Sequence, residues 1–305
     1  MFSRRHPILF FLLMLAAMAG VGIISVSLIV MIGIGHSGFA DFPKAHGEKV
    51  GVIEISGPII ESKETIRQIK QFREDDAIKA IVVRIESPGG GVGPSQEIFR
   101  EIRKTVAGKK VIASMGAVAA SGGYYIAAGT DGIMANPGTI TGSIGVIIGY
   151  TNFEALFEKI GLTPVVIKSG EFKDMGSPVR EITEKEKTLL QAFVNKTRMQ
   201  FVRDVSEGRG RPASEIEPLA DGRIFTGEEA KENGLVDRMG NLEDAIEWAG
   251  RLGGINGEIV PVYAQRRELT FINLLTDSLM HQLSSRLTDA SFQAAYLFKP
   301  KSAEP

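Results

Sequence analysis

Ala80-Ile81-Val82-Val83-Arg84-Ile85, followed at once by Glu86-Ser87-Pro88-Gly89-Gly90-Gly91, is the stretch that decides the fold. Five of its first six residues are apolar. A run that continuous suits a strand in a sheet covered on both faces, as parallel sheets are. The glycine turn that ends it leads into 94–105, where Ile98, Phe99 and Ile102 recur at helical spacing. Strand, glycine turn and helix make one βα unit, and the pattern repeats on either side. Upstream, 49–56 reads as a strand stopped by Gly57-Pro58, and Ser62 stands where it would cap a helix with Ile66, Ile69 and Phe72 on one face. Downstream, 111–115 reads as a strand, 121–128 as a helix, 144–148 as a strand, 152–160 as a helix and 164–167 as a strand. A long helix follows: Thr183 and Glu186 fit a capping box, and Leu189, Leu190, Phe193, Val194, Phe201 and Val205 form its apolar stripe. Gly208-Arg209-Gly210-Arg211-Pro212 breaks it. This alternation predicts an α/β fold around parallel strands, in one domain spanning 47–265.

Charge and composition narrow the function classes. The chain carries 35 basic and 36 acidic side chains, so it offers no electrostatic footprint for nucleic acid. It has no cysteine, hence no disulfide, thiolate nucleophile or thiolate metal site. From Ile8 to Gly35 there is no charged residue. At about 1.5 Å per residue that run reaches roughly 42 Å as a helix, enough to span a bilayer and too long for the apolar core of a cleaved signal. Arg4 and Arg5 precede the run while Lys44 alone follows closely, which predicts a cytoplasmic N-terminus (1–7), an anchor (8–35), a linker (36–46) and a domain outside the cytoplasm. The tail, 266–305, carries Phe271, Ile272, Leu275, Leu279, Leu283 and Leu287. That spacing suits an amphipathic helix packed on the domain or on a neighbouring subunit, with the membrane surface as the alternative.

The candidate chemistry lies in Ala119-Ala120-Ser121-Gly122-Gly123-Tyr124-Tyr125 and in Lys173, 52 positions after Ser121. A serine hydroxyl needs a base, usually histidine, yet no histidine occurs between His46 and His281. Lysine is the remaining base known to pair with serine, provided that desolvation holds it neutral against a reference pKa of about 10.4. Lys173 must therefore be buried to act. Each feature also has a plainer reading: Ser121 as a helix cap, Lys173 as a solvated loop residue, and Gly89-Gly90-Gly91 as a turn that merely fits the chain. The glycine turn lacks the Gly-Lys-Ser/Thr ending of a phosphate loop. Thr139-Ile140-Thr141-Gly142-Ser143 adds hydroxyls able to orient a lysine.

Taken together, the segments Ser87-Pro88-Gly89-Gly90-Gly91, Met115-Gly116, Ala119-Ala120-Ser121-Gly122-Gly123-Tyr124-Tyr125, Thr141-Gly142-Ser143-Ile144-Gly145 and Lys173-Asp174 resemble the SppA family of signal peptide peptidases. Gly222-Arg223-Ile224-Phe225-Thr226-Gly227 and Gly234-Leu235-Val236-Asp237 extend the resemblance, which covers about residues 47–240 and the anchor. It implies the ClpP/crotonase-like fold of repeated ββα/βα units, with Ser121 as nucleophile and Lys173 as general base. It also implies the Gly90 and Gly122 N–H groups as oxyanion hole and Ser143 as the hydroxyl that orients Lys173. No cofactor or metal is implied. The partners implied are peptide substrates such as signal-peptide remnants, the bilayer of a bacterial inner membrane, and a homo-octamer in which each dyad is shared between subunits. Glu86 departs from the asparagine often found there in related peptidases. Two other classes remain to be weighed: a crotonase acting on acyl-CoA, and a scaffold that keeps the fold without activity. A membrane-bound ClpP-like protease is the rival within hydrolases.

Overall fold

The computed structural model describes residues 47–265, the backbone of 293–297, and Met14, Met18 and Gly20. Residues 1–46 form one unit and 47–305 another. Met14, Met18 and Gly20 are helical, and the rest of the anchor expected over 8–35 lies outside the described residues. Among the described residues no helix is long and apolar enough to cross a membrane.

In the second unit, β1 (Glu48–Ser56), α1 (Lys63–Glu74), β2 (Ile78–Ser87), β3 (Gly89–Gly91), α2 (Val92–Thr105) and β4 (Lys110–Ala120) follow the expected alternation. Next come α3 (Gly122–Ala127), β5 (Gly132–Ala135), β6 (Ile140–Gly142), β7 (Ile147–Gly149), α4 (Glu154–Lys159) and α5 (Glu184–Arg209). The sequence closes with α6 (Ala213–Ile216), β8 (Ile224–Phe225), α7 (Gly227–Glu232), β9 (Arg238–Met239), α8 (Leu242–Leu252), β10 (Ile259–Tyr263) and β11 (Gln293–Leu297). The main sheet runs β10-β1-β2-β4-β5-β9, every neighbouring pair parallel, with β6 parallel to the far end of β4 and β8 antiparallel to β6. This is a mixed α/β fold built on a parallel sheet.

The run at 80–85 is apolar because both its faces are buried. Ile81, Val83 and Ile85 point into the larger core with Ile98, Ile102, Tyr125 and Phe201, whereas Ala80 and Val82 point into a second core closed by Ala245, Ile246 and Ala249 of α8. The α5 helix starts at the expected capping box, where the Thr183 hydroxyl accepts the Glu186 N–H, and ends on Gly210 at φ 61°, a left-handed turn that favours glycine. Of its expected stripe, Phe201 and Val205 are buried while Leu189 and Phe193 are exposed, because only the second half of the helix lies on the domain.

Three expectations are corrected. Residues 164–167 form no strand; Val165 and Ile167 are 83% and 97% exposed, and among the described residues no strand lies beside them to offer a ladder. The strand expected over 144–148 is confined to β7, since Ile144 and Val146 are drawn into the core. In the tail, expected to be helical over 269–298, residues 266–292 lie outside the described residues and Gln293–Leu297 is a strand. Its backbone groups are satisfied by strands on both sides instead of by a helix.

Phe201 holds α5 against the helix that follows Ser121: its ring centroid is 4.6 Å from that of Tyr125, and Tyr125 in turn packs edge-on to Phe99 at 5.2 Å. Phe201→Ala is expected to destabilise the domain by about 3–5 kcal/mol, read from the shift in a urea unfolding curve. A cost below ~1 kcal/mol would mean that α5 is not anchored there.

Candidate active site

β4 ends at Ala120 and turns into α3 through Ser121, a residue 1% exposed with φ 55° and ψ −114°. A non-glycine residue in that region carries backbone strain of about 1–3 kcal/mol. Two hydrogen bonds hold it: the Ser121 N–H donates to the Gly142 carbonyl at 2.8 Å, and the Ser121 carbonyl accepts the Tyr125 N–H at 2.8 Å. The Ser121 hydroxyl makes no helix-capping hydrogen bond, so the plainer reading of this residue as a cap does not apply. A strained turn between strand and helix is the arrangement that leaves a nucleophilic hydroxyl clear of its own backbone.

The sheet brings the Gly90 turn to the same place. A Cβ added to Gly122 would lie 3.1 Å from the Gly90 nitrogen and 2.6 Å from Ser95 Oγ. A Cβ on Gly90 would lie 2.2 Å from the Ile59 carbonyl oxygen. Gly90 and Gly122, the neighbour of Ser121, thus lie together: a side chain at Gly90 would meet backbone, and one at Gly122 the Ser95 hydroxyl and the Gly90 nitrogen. Ser143 adjoins Ser121 through Gly142, whose carbonyl accepts the Ser121 N–H, and Ser143 itself sits at φ 51° with its N–H donating to Arg223 O at 2.8 Å.

Lys173 differs from the expectation. It is exposed, in a turn where its N–H donates to Gly170 O at 3.2 Å, and among the described residues nothing supplies the burial that a lysine base needs. Its neighbourhood is nevertheless ordered by charge. Arg180 pairs with Asp174 at 2.9 Å and with Glu186 at 2.5 Å, and Lys168 reaches Asp174 at 2.6 Å. The Arg180 guanidinium holds the Asp174 carboxyl below the usual carboxylate range, Lys168 helping, and holds Glu186 at about 2, with the Thr183 N–H helping there. The surrounding segment exposes Leu156, Ile160, Leu162, Val165, Ile167 and Phe172.

Sequence reading missed several supports. The Ile59 N–H donates to Gly89 O at 2.9 Å and its carbonyl accepts the Gly91 N–H at 2.8 Å, which fixes the glycine turn. Fully buried Ser95 donates to Gly91 O at 2.9 Å beside Gly122. Its place in the first turn of a helix after a glycine run was the only signal available. Glu86 takes a structural role: its carboxylate accepts the N–H groups of Ala117 at 2.9 Å and Val118 at 3.0 Å, where the β2–β4 register shifts on the way to Ser121. Among the described residues no cluster of side chains has the makings of a metal site.

Residues 103–256 match the sequence profile of peptidase family S49, and residues 49–141 match that of Clp protease. A protein of Synechocystis carrying a protease name is 42% identical over 250 residues, which are 81% of this chain and 90% of that protein. An Enterococcus faecium protein carrying the name signal peptide peptidase SppA is 40% identical over 220 residues, 67% of this chain and 63% of its own length. The chloroplast serine protease SPPA of Arabidopsis thaliana is 34% identical over 229 residues, 74% of this chain but 34% of that protein.

The Lys173 turn is expected to loosen on acidification. Asp174 and Glu186 both have folded-state values depressed by Arg180, so their contribution to local order is complete above their ordinary values of 3.8 and 4.5 and is lost as pH falls toward about 2. An NMR titration should show the Lys173 and Met175 amide shifts constant at pH 5 and above and moving between pH 4.5 and 2. Arg180→Gln should loosen the same turn at neutral pH. Shifts unchanged down to pH 2 would deny the network this role.

Proposed function

The chain belongs to peptidase family S49, and from that membership we propose a membrane-anchored serine endopeptidase that works with a Ser121–Lys173 dyad on signal-peptide remnants and other membrane-proximal peptides. A serine peptidase is what its relatives establish; the dyad, the anchor and the substrates are the proposed part. One observation carries the reading: Ser121 lies buried in a strained turn with an uncapped hydroxyl, and Gly122 lies against the Gly90 nitrogen.

Ser121 Oγ attacks the scissile carbonyl carbon and its proton passes to Lys173 Nζ. The N–H groups of Gly90 and Gly122 receive the oxyanion, where donors already in place cost no reorganisation as charge develops. Collapse of the tetrahedral intermediate breaks the C–N bond, and the lysine proton goes to the leaving amine. Water, deprotonated by the same lysine, then hydrolyses the acyl-enzyme and returns the proton to Ser121. Ser143 orients the lysine.

The dyad is completed between subunits, in a homo-octamer. Two observations support this: Lys173 is exposed in the single chain, and the segment around it presents apolar side chains that a neighbouring copy would cover. The uncharged run 8–35 anchors the assembly in a bacterial inner membrane with the N-terminus in the cytoplasm and the peptidase domain on the other side. An acyl-CoA substrate does not suit that compartment.

Ser121→Ala and Lys173→Ala are each expected to lower peptide hydrolysis at least about a thousandfold with folding intact, and the double variant to be little worse than either, because both remove one covalent step. Substantial turnover by purified Ser121→Ala would end this reading and leave the inactive-scaffold or another-site alternative. Co-assembly of Ser121→Ala chains with Lys173→Ala chains should restore part of the activity, since some interfaces then join an intact serine to an intact lysine. Mixed oligomers that stay inactive while the wild type works would place the dyad within one subunit.

A further inference from the structure

A cavity of about 570 Å³ opens between α8 and the β9 edge of the main sheet. Its walls include Met134 of β5, Arg238 of β9 and Asp244, Glu247, Trp248 and Leu252 of α8, none of them part of the proposed dyad or oxyanion hole. Met134 and Arg238 are register partners on parallel strands, so their side chains stand on one face of the sheet, the face that α8 covers. On α8, Asp244, Trp248 and Leu252 recur at helical spacing and share a stripe, with Glu247 alongside. Trp248 is seated from the sheet side: a Cβ on Gly132 would run into its ring, so the absence of a side chain there lets the indole lie close on β5.

The cavity holds charges of both signs beside apolar surface. The Arg238 guanidinium lies over the Trp248 ring, 4.3 Å from its centroid, and among the described residues it has no carboxylate partner and no hydrogen bond. Stacking fixes the plane of a guanidinium and leaves its edge N–H donors free, the arrangement that receives a carboxylate on two parallel hydrogen bonds. Arg251 also lines the cavity, but it is engaged, donating to the Ile255 and Gly257 carbonyls at 2.9 and 3.2 Å. Glu247 supplies the opposite charge. Its side chain is 67% exposed, and its pair with Arg251 is long, 3.7 Å, a surface contact of little strength. Asp244 is already used, accepting the Asn241 N–H at 2.8 Å in the cap of α8. Met134, Trp248 and Leu252 are the apolar part of the lining. The volume falls within the roughly 300–1,000 Å³ of small-molecule pockets.

We infer that this cavity binds an apolar amino acid or dipeptide with both ends free, its carboxylate on the Arg238 guanidinium, its ammonium on the Glu247 carboxylate and its side chains against Met134, Trp248 and Leu252. A simple anion such as phosphate satisfies Arg238 but is repelled by Glu247 and leaves the apolar wall wet. An uncharged apolar molecule leaves Arg238 without a partner. A zwitterion with an apolar side chain answers all three features of the lining. Binding stands on these residues alone. Fragments with free ends are what peptide hydrolysis leaves, so the use of the site, holding a product of that class, rests on the peptidase reading.

Trp248 is the one tryptophan of the chain, so a ligand arriving beside it is read from its fluorescence. The full chain in detergent, carrying Ser121→Ala so that nothing is cut, is titrated with Leu-Leu, N-acetyl-Leu-Leu, Leu-Leu-amide and inorganic phosphate, and the same titrations are followed by calorimetry. Leu-Leu should bind saturably in the millimolar range or tighter, and blocking either end should weaken it about tenfold, the loss of one charge-assisted contact. Arg238→Gln should weaken Leu-Leu about tenfold and leave Leu-Leu-amide unaffected; Glu247→Gln should weaken Leu-Leu and leave N-acetyl-Leu-Leu unaffected. No saturable response to Leu-Leu, affinity indifferent to both blocked ends, or displacement of Leu-Leu by an equal concentration of phosphate overturns the inference. The blocked ligands are compared on one protein, so the test holds even where a variant fails to fold. Leu-Leu binding in a chain whose serine-intact form cuts no peptide would keep the site and sink its product role; hydrolysis without Leu-Leu binding would sink the site and leave the peptidase reading standing.

Discussion

Everything in the site depends on a close approach of backbone to backbone at two glycines. A Cβ on Gly122 would lie 2.6 Å from Ser95 Oγ and 3.1 Å from the Gly90 nitrogen, and one on Gly90 would lie closer still, 2.2 Å from the Ile59 carbonyl oxygen. Such contact needs a residue without a Cβ at each of the two positions, and it brings Gly122 beside the Gly90 nitrogen. The strained conformation of Ser121 belongs to the same constraint: the chain must leave β4 and enter α3 within one residue to keep Gly122 in that position.

A strained turn persists only on a rigid support, and the fold supplies it from two directions. The parallel sheet fixes the ends of β2 and β4, with the Glu86 carboxylate tying down the N–H groups of Ala117 and Val118 where the ladder between them slips. Behind Ser121, the edge-on and tilted rings of Phe99, Tyr125 and Phe201 pin α3 to α2 and α5, and the Tyr125 hydroxyl donates to Asp204. The polar chemistry therefore stands at the rim of an apolar core packed on both faces of the sheet.

The segment that carries Lys173 obeys different physics. Between β7 and α5 order comes from the Arg180 ion pairs and from local turns, while its apolar side chains face outward. Such a surface leaves contiguous apolar area in contact with water. Beside Gly90, β3 and β7 both pair with one strand, β11, which lies between them.

The elements legible in the sequence were those whose patterns are set by local physics. The continuous apolar run of β2, the capping box at Thr183 and the glycine stop after Arg209 declared themselves because burial on both faces, an N-cap and a left-handed turn each demand particular residue types. Ser121, Gly90 and Gly122 were also legible as candidates, as small residues at strand ends. What the sequence could not determine was which small residues touch. Ser95 and Ile59 enter the site only through sheet register and helix approach, which have no local signature. The apolar stretch at 164–167 read as a strand because its composition is that of one, yet strand formation needs a partner edge and none lies beside it among the described residues. The tail read as a helix by its spacing, while Gln293–Leu297 is extended because two unpaired edges far away in sequence offered a better home for its backbone. Composition determines what a segment can bury; only the tertiary structure decides which backbone groups are left waiting for it.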